Sequence, residues 1–155
     1  MCDAGIVLRI GHDDWLAIVA HAYDELPNEM CGLLVGPPRQ PSAPGVDATA
    51  PAGEVAVVRF VPCRNAAASA RVYTVDPRDH LRADRAAEED GLEIIGVVHS
   101  HTHSPAHPSP TDVAAAVDPG WHYVIVSLAD GVPSLRSWRI VEGNIDEEDV
   151  VVGKG

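Results

Sequence analysis

Apolar residues along this chain recur in two periods, and the changes between them lay out the elements. Trp15, Ile18, Val19 and Ala22 fall at helical spacing as far as Leu26, with Asp13 or Asp14 placed to cap the helix and Pro27 to stop it. Gly5–Ile10 before it reads as a short strand, and Cys31–Val35 after it as a buried one. Val55–Val61 is the next strand, and Val72–Val75 is a short one inside a polar, Ala-rich connection. Pro77 then opens a charged helix that runs to about Asp90, proline being well suited to the first helical position. Glu93–Val98 is an apolar strand that delivers the chain into His99, and Thr111–Val117 reads as helical. Residues 122–145, HYVIVSLADGVPSLRSWRIVEGNI, form a meander of strands broken by ADG and EGN turns. The acidic run IDEEDV at 145–150 reads as a solvated end.

Residues 36–54, GPPRQPSAPGVDATAPAGE, show no period and are rich in Pro, Ala and Gly, which marks a long exposed loop. Helices and strands alternate early and strands cluster late, so the class is mixed α/β around one sheet, with no internal repeat. At 155 residues the chain is expected to form one domain, residues 1–155, large enough for a real core.

Charge removes several classes of function. A net charge of −12 offers nothing to displace phosphate counterions and disfavours an anionic membrane, so neither nucleic acid nor membrane is an expected partner. The N-terminus lacks a basic leader followed by an apolar core, and no apolar run approaches the ~18 residues that span a bilayer. Cys2, Cys31 and Cys63 are odd in number and far apart, which fits a reducing, cytoplasmic setting rather than a disulfide framework.

Four of the eight histidines lie in GVVHSHTHSPAHPSPTD, residues 96–112. Taken alone, Ser109-Pro110-Thr111-Asp112 is a good helix start, with Ser at the N-cap and an acid three residues on to complete a capping box. The pair His99 and His101 adds a second possibility. Two apart at a strand's end, they leave the same face, well placed to share a cation. A helix from Ser109 can bring Asp112 to the third corner. Two nitrogens and one oxygen leave a fourth zinc position open, as catalytic zinc sites do.

His99-x-His101-x₇-Ser109-x₂-Asp112 resembles the signature of the JAMM (MPN+) metalloproteases at every defining position. The similarity extends over LPNEMCGLLVG, Asn65-Ala66, GVVHSHTHS and the terminal meander, which is nearly the whole chain. The HSHT run, the EMCG context and the compact length are most similar to the short bacterial Mec-like type, which processes a sulfur carrier. The resemblance implies an α/β, cytidine-deaminase-like domain with a mixed central sheet flanked by helices. It implies one Zn2+ per chain on His99, His101 and Asp112, and a Glu acting on the water that zinc activates. Glu29, before an apolar run, is in place for that role; by spacing alone it is equally a solvated carboxylate at a strand entrance. Ser109 would donate to the developing oxyanion, a role compatible with capping.

The sequence departs from the family where Thr102-His103 replaces a proline after the second ligand. His103 is expected to line the cleft, His107 to be exposed, and Cys31 and His122 to be structural. The ligand set also admits iron or manganese. The expected substrate is the amide after the C-terminal Gly of a ubiquitin-like sulfur carrier ending in Gly-Gly, with release of cysteine or a related amino acid. The tail is expected to pair with an exposed strand edge. The alternative is an isopeptide to lysine, which usually calls for gripping insertions. This chain is too compact for large ones, and the 36–54 loop, the one candidate, has a composition that suggests flexibility rather than a docking surface. A homodimer is the default assembly. Among rivals, HSHTHS resembles the first metal motif of PHP phosphoesterases, but too few residues follow His101 to build their barrel. A zinc deaminase needs HxE and PCxxC, which are absent. A non-catalytic MPN-type scaffold would have lost ligands or the Glu, and all five positions are kept.

Overall fold

The computed structural model describes residues 5–38 and 53–153. Its elements run β1 (Val7–Ile10), α1 (His12–Asp24), β2 (Cys31–Gly36), β3 (Glu54–Ala56), β4 (Arg59–Cys63) and α2 (Pro77–Glu89). They continue as β5 (Glu93–His101), α3 (Pro110–Ala115), β6 (His122–Ser127), β7 (Ser134–Val141) and β8 (Asn144–Val152). The strands form one mixed sheet in the order β3-β1-β8-β7-β6-β5-β2-β4. Pairs β1–β3, β1–β8 and β5–β6 are parallel and the others antiparallel.

The sheet curls because its two ends are consecutive in sequence. β3 and β4 stand at opposite ends of the order, yet only Val57 and Val58 separate them. Val57 N donates to Arg9 O on β1, and Val58 N donates to Val35 O on β2, both at 2.8 Å. Two successive peptide N–H groups therefore stitch the two ends together. The Val55–Val61 run is thus two strands on different partners rather than one: an apolar run cannot show where a chain changes neighbours.

Each face of the sheet carries its own core. On one face α1 packs Ile18 and Ala22 with Leu8, Ile10, Leu34, Val98 and Val124. On the other, Ala83 and Ala87 of α2 lie with Leu33, Val97, Ile125 and Trp138. Small alanines let α2 approach closely, and each fully buried aliphatic contributes about 1.5–3 kcal/mol. Asp76 caps α2, accepting from Arg78 N and Asp79 N, with Pro77 in the first turn. Gly91, at φ +70°, turns the chain back into β5. α2 therefore runs against β5 and starts near the end that carries the histidines.

Other expectations change in detail. α1 starts two or three residues early, with Gly11 rather than Asp13 or Asp14 as its cap; Asp14 instead accepts from Phe60 N, tying α1 to β4. Val72–Val75 makes only an isolated bridge, Asn65 to Val75. The acidic run 145–150 is not a solvated end but most of β8, an interior strand between β1 and β7. Of the loop expected at 36–54, Gly36 belongs to β2 and Glu54 to β3, and residues 39–52 lie outside the described residues. Among the described residues no helix is long and apolar enough to cross a membrane.

Candidate active site

A β-bulge sets the orientation of the histidines. β2 pairs Leu34 with Gly96 and Val35 with Ile94, so Ile95 is an extra residue in β5. Beyond it, strict alternation sends Val97, His99 and His101 to the α2 face and Val98 and Ser100 to the α1 face. Ser100 then ties β5 to the entrance of β2: its Oγ accepts from Met30 N at 2.8 Å, and its N donates to Met30 O at 3.1 Å. Cys31 pairs with His99, and two residues further along this antiparallel register Glu29 falls across from His101.

α3 supplies the third group. Ser109 caps it, accepting from Asp112 N at 3.1 Å, while the Asp112 carboxylate accepts from Ser109 N at 2.9 Å. This reciprocal capping box holds Asp112 Oδ2 at 3.1 Å from His101 Nε2 and 3.3 Å from His99 Nε2, and the two Nε2 atoms are 3.2 Å apart. All three residues are buried. Zinc bonds of about 2.0–2.1 Å at tetrahedral angles place ligand atoms about 3.3–3.4 Å apart, so the spacing and the N, N, O donor set fit such an ion. His99 is further fixed by stacking on Tyr73, with centroids 4.3 Å apart. His101 Nδ1 donates to Pro105 O at 2.7 Å, which turns Nε2 to the shared centre.

Charge inside this cluster is polarised. Burial drives the His99 imidazole below its ordinary value, against the pull of Asp112. For His101 burial acts downward too, but the bonds to Asp112 and to the Pro105 carbonyl outweigh it and the net shift is upward. Burial likewise works against the Asp112 carboxylate, yet hydrogen bonds from His101, His99 and Ser109 N hold it far below the usual range. Glu29 is only 4% exposed, so it is not a solvated carboxylate, and its Oε1 has no partner among the described residues. Burial raises it to about 7, His101 opposing and Asp112 reinforcing the shift. A buried carboxyl oxygen without a partner, coupled electrostatically to His101 and Asp112, marks a group available for proton transfer.

The structure thus brings His99, His101, Asp112, Ser109 and Glu29 into one region, and among the described residues no other histidine joins the converging ligand atoms. His103 is exposed. His107 is exposed and packs edge-on against Trp138 at 4.8 Å. Cys31 is fully buried, its thiol pushed by burial to about 12, which rules it out as a nucleophile at neutral pH. His122 is structural, bonded through Nδ1 to Glu148 at 2.5 Å. Two neighbours of the site carried no readable signal in the sequence: Tyr73, in an irregular connection, and the Pro105 carbonyl, a backbone atom.

Comparison with known proteins gives concordant matches. The family described as prokaryotic homologs of the JAB domain matches residues 12–141. The CysO-cysteine peptidase of Mycobacterium tuberculosis is 39% identical over 147 residues, covering 94% of this chain and 91% of that protein. A protein of Thermus thermophilus named "Probable TtuB-protein conjugate cleaving protease" is 36% identical over 140 residues, covering 90% of this chain and 80% of its own. The solution structure of a Desulfitobacterium hafniense protein superposes with a TM-score of 0.79 at 32% identity, covering 96% of this chain and 94% of that one.

Proposed function

This chain belongs to the prokaryotic JAB-domain family, and from that premise we propose that it is a zinc-dependent peptidase acting on a ubiquitin-like sulfur carrier. The bond cut is the amide after the carrier's C-terminal Gly, releasing cysteine or a related amino acid. The observation that carries this reading is the convergence of three buried ligand atoms beside the unpartnered Glu29 carboxyl. The name and coverage of the mycobacterial relative support the substrate class.

His99, His101 and Asp112 would hold the zinc. When bound, it supplies a Lewis acid that polarises the scissile carbonyl and acidifies the attacking water. Glu29, whose carboxyl burial raises to about 7 in the metal-free site and which a bound cation would shift towards the carboxylate, would take the water's proton and return it to the leaving amine. Ser109 Oγ already accepts from Asp112 N, so its own hydrogen is left to donate to the carbonyl oxygen as charge builds there. Such a donor typically contributes about 2.7–4 kcal/mol. His101, anchored through Nδ1, and His99, stacked on Tyr73, keep the ligand atoms from reorienting during the reaction.

The test is to incubate zinc-loaded protein with a carrier ending in Gly-Gly-Cys and follow the carrier's mass. Loss of one cysteine residue is expected, abolished by a chelator and by Glu29→Gln. An intact carrier beside zinc-loaded protein would discard this substrate. The second reading, cleavage of lysine-linked carrier conjugates, is favoured by the name of the Thermus relative. It predicts release of free carrier from such a conjugate in the same assay.

A further inference from the structure

The stretch between His101 and Ser109 has no regular structure, yet three successive carbonyls in it each meet a fixed donor. Ser127 Oγ donates to Ser104 O at 2.6 Å. His101 Nδ1 donates to Pro105 O at 2.7 Å. Trp138 Nε1 donates to Ala106 O at 3.0 Å. A carbonyl only accepts, so Nδ1 carries a proton and the Nε2 lone pair is the one a neutral ring offers to a cation.

The outer two donors belong to the sheet rather than to the loop. Ser127 ends β6 and Trp138 lies in β7; they are 2% and 5% exposed. The indole is itself braced. Arg136 lies over its ring at 4.6 Å, and Glu147 of β8 holds Arg136 through two bonds of 2.7 Å. His107 meets the ring edge-on from the loop side. Leu128 N donates to His101 O at 3.0 Å, so the end of β6 also fixes the backbone of the histidine itself.

We propose that Ser127 and Trp138 are positioning residues for the metal centre: by holding the carbonyls on either side of Pro105, they fix the acceptor that orients His101. The assignment rests on the reading of His99, His101 and Asp112 as metal ligands. Neither side chain hydrogen-bonds to a ligand atom: Ser127, although it pairs with His101 across β5 and β6, donates to Ser104 O, and Trp138 donates to Ala106 O. Their effect passes through one peptide carbonyl, where a displacement of a few tenths of an ångström would swing the imidazole away from Asp112 Oδ2. Outer partners of this kind typically change metal affinity about 10–100-fold when removed.

Ser127→Ala and Trp138→Phe test this; the second keeps a ring for Arg136 and His107 and removes the N–H donor together with part of the buried indole's volume. Two quantities are read. One is the zinc dissociation constant, by competition with a chromophoric chelator. The other is solvent exchange of the His101 ring N–H proton in the metal-free protein, by NMR. Each variant is expected to bind zinc at least about tenfold more weakly and to exchange that proton faster, with a retained cooperative melt. A purely structural pair of hydrogen bonds would lower the melting temperature and leave both quantities unchanged, which overturns the proposal. If Trp138→Phe does not fold, Ser127→Ala decides by itself. Failure of the parent protein to bind zinc would overturn the metal reading instead, and the ring-proton exchange would still report on the clamp.

Discussion

Glu29 is a carboxyl held where a carboxylate is costly. It lies 4% exposed at the entrance of β2, with one oxygen unpartnered among the described residues. Burial raises it from the ordinary 4.5 to about 7. The unfolded chain therefore gives up this proton first as pH rises, and the native state loses stability between those two values. Once both states are ionised the loss is on the order of 3 kcal/mol. Glu29→Gln removes the ionisable group, so the metal-free variant is expected to gain on the parent at pH 8 and to show no such gain at pH 4. Urea midpoints at the two pH values measure this. A cation among His99, His101 and Asp112 would favour the charged carboxylate, so zinc is expected to narrow the difference. Equal behaviour of the two proteins at both pH values would mean that Glu29 is not held in a desolvated place.

At the scale of elements, β5 is the strand on which the site depends, and its hold on β6 rests on one glycine. Gly96 pairs with His122, and a Cβ built on it would lie 2.3 Å from His122 O, a backbone atom that no rotamer change can move. Gly96→Ala is expected to cost about 3 kcal/mol, at the upper end for an overpacked core, and to weaken zinc binding by shifting the histidines beyond it. Chemical denaturation with and without zinc checks both effects. The His-x-His pair was legible in the sequence because strand alternation and a downstream cap are local rules. The bulge at Ile95, which decides the face those histidines use, left no such mark: Glu93–Val98 reads as an uninterrupted apolar strand. Val55–Val61 failed for a related reason, since the switch of partner between Val57 and Val58 is dictated by where β1 and β2 lie. Tyr73, stacked on His99, is placed by tertiary contact alone.

For the whole molecule, the question is what keeps an eight-stranded sheet curled around two separate cores, and β8 is central to it. By composition IDEEDV is a run of charge, yet as strand residues its acids divide between faces. Glu147 pairs outward with Arg136, while Glu148 turns inward, where His122 and Ser137 Oγ both donate to its Oε1, the latter at 2.6 Å. The two donors at Oε1 offset part of the cost of a carboxylate in the core, while its Oε2 is buried without a partner among the described residues. β8 joins β1 to β7, so without it β1 and β3 lose their link to the rest of the sheet except through the Val57–Val58 stitch. The ligand atoms come from β5 and α3, and none lies on β8. Truncation after Gly143 is therefore expected to abolish the cooperative thermal transition, followed by circular dichroism, although it removes no ligand. A solvated acidic end would behave otherwise: its loss would move the midpoint by no more than about 2 °C. The two outcomes are far enough apart for one melting curve to decide between them. A cooperative melt in the truncated chain would mean that the curl is sustained by the α1 and α2 packing alone.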